Sequence, residues 1–171
     1  MKTLLLSSVV ALLASLPAMA ELPLKLELLA PKEAVVLKKE DLIKPGVGAA
    51  APKVDITLTY RITNTGKEAI VVKHGGDEST NQLMIKGPGA IDTPYHGPMT
   101  ADYRMGNPVK LGPGESKDFE LKGLRHGTRN MSYWSITKAG DYEVTLKFIT
   151  RSGAEQTTLT SNTAKISVAV K

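Results

Sequence analysis

The 171-residue chain contains no cysteine. That absence excludes a disulfide framework, a Cys-ligated zinc, a c-type haem attachment, a lipid-modified cysteine and a thiol nucleophile. Aromatic residues are scarce, 5% of the chain with a single Trp, so an aromatic-rich recognition surface would have to be local. No strong excess of one charge is present. The 22 Lys and Arg stand against 17 Asp and Glu and are spread along the sequence, whereas nucleic-acid binding calls for a concentrated basic stripe. There is no Gly-x-Ser-x-Gly elbow and no His-Glu-x-x-His helix, and a Ser-His-Asp set can be assembled only by choosing freely, so the residues point away from an enzyme. Beyond the first 20 residues no apolar run approaches the roughly 20 residues a helix needs to span a bilayer.

What is present begins with MKTLLLSSVVALLASLPAMA: a cation at Lys2, an apolar run from Leu4 to Leu13, a breaker at Pro17 and small residues at Ala18 and Ala20. This is the pattern of a cleaved secretory signal peptide over 1–20. The expected mature chain starts near Glu21, carries +4 once Lys2 is lost from the formal +5, and works in the periplasm or outside the cell. Residues 21–171 suit a single domain, long enough to bury roughly two-thirds of its unfolded surface.

The remaining texture is short alternation. LPLKLELL (22–29), VDITLTYRIT (54–63), AIVV (69–72), KDFELKGL (117–124), DYEVTLKFIT (141–150) and AKISVAV (164–170) put apolar side chains on every second position. Period two gives one buried and one wet face, the mark of antiparallel strands. AVVL (34–37), QLMIKG (82–87) and PVKL (108–111) are weaker strand candidates, and VGAAAP (47–52) reads as a loop. Asn64-Thr65-Gly66 predicts a hairpin turn, and Leu111 to Ser116 a turn leading into a strand. The class expected is all-β, an antiparallel sandwich.

Three stretches, ITLTYRITNTGKEAIVV (56–72), LGPGESKDFEL (111–121) and YWSITKAGDYEVTLKF (133–148), resemble the bacterial immunoglobulin-like sandwich pattern. With GGDEST, GPGAID and GLRHGTR they are similar to exported bacterial proteins of this architecture that carry no established activity. The likeness covers roughly 54–150. It implies that Tyr142 is a tyrosine-corner residue whose hydroxyl bonds back to nearby backbone. Lys138, where antibody-type domains have an acid, and the missing Cys pair depart from the antibody type.

Loops on a rigid scaffold concentrate binding residues, and His74 to Asn107 is the least strand-like segment. It holds His74, His96, Met84, Met99 and Met105, a Met/His set of the softness copper accepts. It also holds Asp77 and Glu78, which together with carbonyls of the preceding Gly-Gly turn are the hard oxygen ligands calcium takes. Against both stands a plainer reading: each of His74, His96 and His126 precedes a glycine, as at a strand end whose turn needs positive φ. Adjacent acids on an extended chain would point to opposite faces. GLRHGTRNMSYWSI (123–136) gathers Arg125, His126, Arg129, Tyr133 and Trp134, suited to gripping an anion or stacking on a ligand. Equally, Trp134 can be a core anchor, and Arg125 or Arg129 can pair with Asp77 or Glu78. The leading expectation is a non-catalytic module that recognises an exported protein or cell-envelope component without a cofactor, through Arg125, His126, Arg129, Tyr133, Asp77 and Tyr95. A copper-type site at His74, His96, Met99 and Met105 is the alternative, and a proteinase inhibitor with a protruding loop a second.

Overall fold

A computed structural model describes residues 22–42, 56–152 and 155–171; the signal-peptide and 47–52 loop readings fall outside them. The strands are β1 (Leu24–Leu29), β2 (Val35–Leu37), β3 (Thr57–Asn64), β4 (Ile70–His74), β5 (Ser79–Lys86), β6 (Ala90–Thr93), β7 (Asn107–Leu111), β8 (Ser116–Lys122), β9 (Arg125–His126), β10 (Ser132–Ile136), β11 (Gly140–Ser152), β12 (Glu155–Thr160) and β13 (Ala164–Val170). Short 3-10 turns cover Lys39–Asp41 and Thr128–Asn130. The protein is all-β, as the alternation predicts. No helix among the described residues is long and apolar enough to cross a membrane.

Two sheets carry the core. One is β1-β3-β8, antiparallel throughout. The other is organised on the long strand β11, which pairs with β5 through Glu143–Thr150 and on its opposite edge with β12 and then β13. Between those two partners, Ser161 bonds Leu146 twice: its backbone N donates to Leu146 O (2.9 Å) and its Oγ accepts from Leu146 N (2.9 Å). The chain thus bends from β12 into β13 without leaving β11 unpaired there. β2 adds to β13 in parallel. Two smaller sheets, β4-β7 and β6-β10-β9, complete the described fold.

Burial follows the pleat. In β3, Leu58, Tyr60 and Ile62 face inward while Thr59, Arg61 and Thr63 are more exposed. Val144, Leu146 and Phe148 of β11 meet Ile166 and Val168 of β13 in the same cluster. Fully burying such a side chain is worth about 1.5–3 kcal/mol, and these rows hold a fold that has no disulfide. Trp134 is half-buried against this core, and its Nε1 donates to the Leu83 carbonyl at 2.7 Å. The Tyr142 hydroxyl lies between the carbonyl oxygens of Lys138 (2.6 Å) and Pro88 and donates to that pair, the back-bond expected from the sequence.

Two side chains do the work of strands. The Asn162 carboxamide accepts from Leu28 N (2.9 Å) and donates to Leu28 O (3.1 Å). Asn64 is fully buried; its Nδ2 donates to the carbonyls of Glu68 (2.7 Å) and Leu111 (3.0 Å), and its Oδ1 accepts from Gly66 N (2.9 Å). The turn chemistry read from Asn64-Thr65-Gly66 is therefore right, but it does not make a hairpin. β3 pairs with β1 and β8, whereas β4 pairs with β7. Two elements that follow one another across a tight turn enter different sheets, because Asn64 ties the turn to the end of β7 instead of letting β4 fold back.

Candidate functional site

The segment His74 to Asn107, read as the least strand-like with QLMIKG (82–87) only a weak strand candidate, contains β5, which takes in most of that candidate and is a main partner of β11. The inward row of β5 is Ser79, Asn81, Leu83 and Ile85, all buried. Its second half is core, and its first half is polar. Ser79 Oγ meets Gly75 N at 2.7 Å and closes the turn after β4, where Gly75 and Gly76 have φ of 78° and 64°. Only glycine takes such angles freely. At Gly76 the requirement is doubled, since a Cβ would lie 2.6 Å from Met105 C and 2.7 Å from Gly106 N.

That close approach is fixed by a clamp. Arg129 Nε and Nη2 donate to the two carboxylate oxygens of Asp77, each at 2.6 Å. Its Nη1 reaches Thr100 Oγ1 (2.8 Å) and Thr100 O (3.3 Å), and Nη2 also donates to the Asp102 carbonyl. Asp77 accepts from Arg104 N (2.8 Å) and donates its own N–H to Arg104 O (2.7 Å). Glu78 accepts from Gly106 N at 2.7 Å and faces Lys73 Nζ at 3.7 Å. The adjacent acids thus seize one segment two residues apart instead of facing opposite ways, because they sit in a turn and not on an extended strand. Hydrogen bonds from Arg129, then from Arg104 N, hold the Asp77 carboxyl down to about 2, and Asp77 in turn raises the Arg129 guanidinium. Arg129 and Asn130 adopt φ of 55° and 53°, a conformation uncommon outside glycine and concentrated where function constrains the backbone.

The six expected partner contacts divide sharply. Arg125 and Tyr95 face solvent. His126 and Tyr133 are buried, and His126 Nε2 bonds Asp92 Oδ1 at 3.0 Å. Arg129 and Asp77 side chains are only 9% and 15% exposed and are consumed by one another and by the clamp. These four side chains are thus largely enclosed, His126, Arg129 and Asp77 with polar partners inside the chain. Of the copper-type set, His74 is half-buried and stacks on Phe119 with centroids 4.3 Å apart, and burial lowers its pKa. His96, Met99 and Met105 are exposed. Among the described residues no three His, Asp or Glu side chains form a group that would hold a metal; the calcium-type acids Asp77 and Glu78 are instead occupied by N–H donors. Positive φ follows His74 and His126, at Gly75 and Gly127, but not His96.

Beside the clamp lies a cavity of about 120 Å³, lined among others by Gly75, Gly76, Asn81, Arg104, Gly127 and Arg129. Gly127 N donates to Asn81 O at 2.6 Å and joins β5 to the end of β9. The Asn81 side chain is not so served. It stands by the Tyr60 hydroxyl, whose pKa burial pushes up and Asn81 opposes, yet neither Asn81 Oδ1 nor Tyr60 Oη completes a hydrogen bond among the described residues. Asn81 and Arg104 escape a reading of the sequence that begins the strand candidate at Gln82; the hint was Ser79 and Asn81 in phase with Leu83 and Ile85. A search of protein-family models finds no match to the chain, and a search of curated proteins finds none either.

Proposed function

We propose that the protein is an exported, non-catalytic binding module on an immunoglobulin-like β-sandwich, and that the segment 94–106 contacts another exported protein or a cell-envelope component. Two layers, antiparallel except for β2 on β13, feeding one apolar core and the Tyr142 back-bond support the sandwich reading. The leader-like first 20 residues support export. One observation carries the binding reading: Tyr95, Met99, Tyr103 and Met105 are all exposed, Tyr103 at 66% and Met105 at 75%, on a segment without secondary structure that Arg129, Asp77 and Glu78 nevertheless pin. Tyr and Met are enriched in interfaces, and a segment already held in shape loses little entropy on docking.

The mature chain, immobilised and exposed to a periplasmic extract of its host, is expected to retain a defined partner that a Tyr103→Ser/Met105→Ser variant of unchanged melting temperature releases. Equal retention by both chains would remove the segment from the function. Export has its own readout: N-terminal sequencing of the chain recovered from the periplasm is expected to start near Glu21.

A further inference from the structure

The backbone between Thr100 and Gly106 is held from one side only, and the holding alternates. Arg129 donates to the carbonyls of Thr100 (3.3 Å) and Asp102. The Asp77 carboxylate accepts from Arg104 N (2.8 Å), Asp77 N donates to Arg104 O (2.7 Å), and the Glu78 carboxylate accepts from Gly106 N (2.7 Å). Every second residue thus turns main-chain groups toward the body of the protein, the alternation of an extended chain lying along a neighbour. The residues between them, Ala101, Tyr103 and Met105, take no main-chain hydrogen bond among the described residues. Tyr103 and Met105 are also the most exposed large hydrophobic side chains described.

A chain with one free main-chain edge and a projecting aromatic side chain suits a cleft that reads extended peptides, where backbone bonds give affinity and a pocket gives specificity. Endopeptidases have such clefts, and a loose segment would be cut and released. Here the tethers change at the Tyr103–Arg104 bond. Before it, Thr100 and Asp102 hang on Arg129; after it, Arg104 and Gly106 hang on Asp77 and Glu78. Arg129 is itself locked to Asp77 by two hydrogen bonds of 2.6 Å, with both side chains largely buried. We propose that the segment inhibits a secreted serine endopeptidase whose main pocket takes a large aromatic or apolar side chain, entering the cleft as a substrate does with Tyr103 in that pocket. The inference rests on 94–106 being the binding segment and names the class of its partner. Attack of the enzyme's serine hydroxyl on the Tyr103 carbonyl carbon breaks the bond to Arg104 N, forms a Tyr103 ester and passes the serine proton to the new Arg104 amine. The clamp keeps that amine beside the ester at high effective concentration. It attacks back, restores the peptide bond and returns the proton to the serine before water hydrolyses the ester.

The test is inhibition by the full mature chain of chymotrypsin, whose pocket is a hydrophobic slot, and of elastase, whose pocket is small, read on a chromogenic peptide substrate. The wild-type chain is expected to inhibit chymotrypsin at micromolar concentration or below, and elastase at least about tenfold less well, the scale on which pockets sort side chains by size. Tyr103→Ala, at an exposed position, reverses that order. Arg129→Lys turns the inhibitor into a substrate: mass spectrometry finds the chain cut after Tyr103, and chymotrypsin activity returns during the incubation while the wild-type chain still suppresses it. If Arg129→Lys does not fold, Glu78→Gln, which loosens only Gly106, shortens the inhibition in the same sense. Chymotrypsin left fully active by the wild-type chain, cleavage of that chain after Tyr103 without inhibition, or inhibition unmoved by Tyr103→Ala overturns the proposal. In the first of these cases, a partner still retained from the periplasmic extract through Tyr103 and Met105 leaves the binding reading standing, whereas equal retention by the Tyr103→Ser/Met105→Ser variant removes both.

Discussion

Along β5, Leu83 and Ile85 lie among the apolar side chains of β11 and β13, while Ser79 and Asn81, on the same inward row, face a turn, a guanidinium clamp and a cavity. The first pair stabilises by area removed from water and tolerates approximate geometry. The second pair contributes little by area, and Asn81 Oδ1 carries the cost of a buried unpaired acceptor, about 1–3 kcal/mol. One strand therefore joins a region that holds the protein together to a region that would be more stable if it were simpler. Arg129 and Asn130 at positive φ stand beside that same polar half of β5. The difference teaches that one inward row can serve the core with its apolar half and a turn with its polar half.

The contrast breaks most visibly in the apolar half. Leu146 is fully buried between strands, and Leu146→Ala is expected to cost about 2–5 kcal/mol, read in urea as a single transition seen alike by far-UV circular dichroism and by Trp134 fluorescence. In the polar half the effect is local. Arg129→Lys leaves global stability far closer to wild type but replaces a bidentate fork with one ammonium, so amide exchange at Arg104 and Gly106 accelerates while Leu146 keeps its protection. The same pair answers to pH in a defined sense. The folded Asp77 pKa of about 2 lies below its ordinary 3.8, so the clamp's contribution is complete above about pH 4 and is lost as pH falls toward 2; the Arg104 amide shift tracks that step, and Asp77→Asn eliminates it. His74 gives the smallest effect. Burial lowers its pKa, so stability declines modestly as pH drops below about 6.5, the ordinary histidine value, and the decline is absent in His74→Phe. A pH-independent urea midpoint between 8 and 5 would remove this role.

Much of the fold is legible because period two is a local property. Each of the six alternating runs is a strand, and Tyr142 back-bonds as its neighbours imply. What escaped is non-local. β6, β9 and β10 are short or carry polar residues at alternate positions, and the first half of β5 hides because its inward residues are Ser79 and Asn81. Asn64-Thr65-Gly66 reveals its turn but not the destination of the strand beyond it, which depends on the Leu111 carbonyl 47 residues on. The pairing of Arg129 with Asp77 was one of several the composition allowed. Which guanidinium would be spent inside the chain, Arg125 or Arg129, and on which acid, was left open by the residues alone.

Asn162 has a bearing on how the molecule meets its neighbours in a crowded compartment. A sheet's outer strand ordinarily offers its unused backbone groups to any extended chain that passes. At Leu28 both groups already hold a carboxamide of the same polypeptide. A competing strand must displace a tethered group whose effective concentration far exceeds that of a dilute stranger, so main-chain templating is blocked near the C-terminal end of that border by a single side chain.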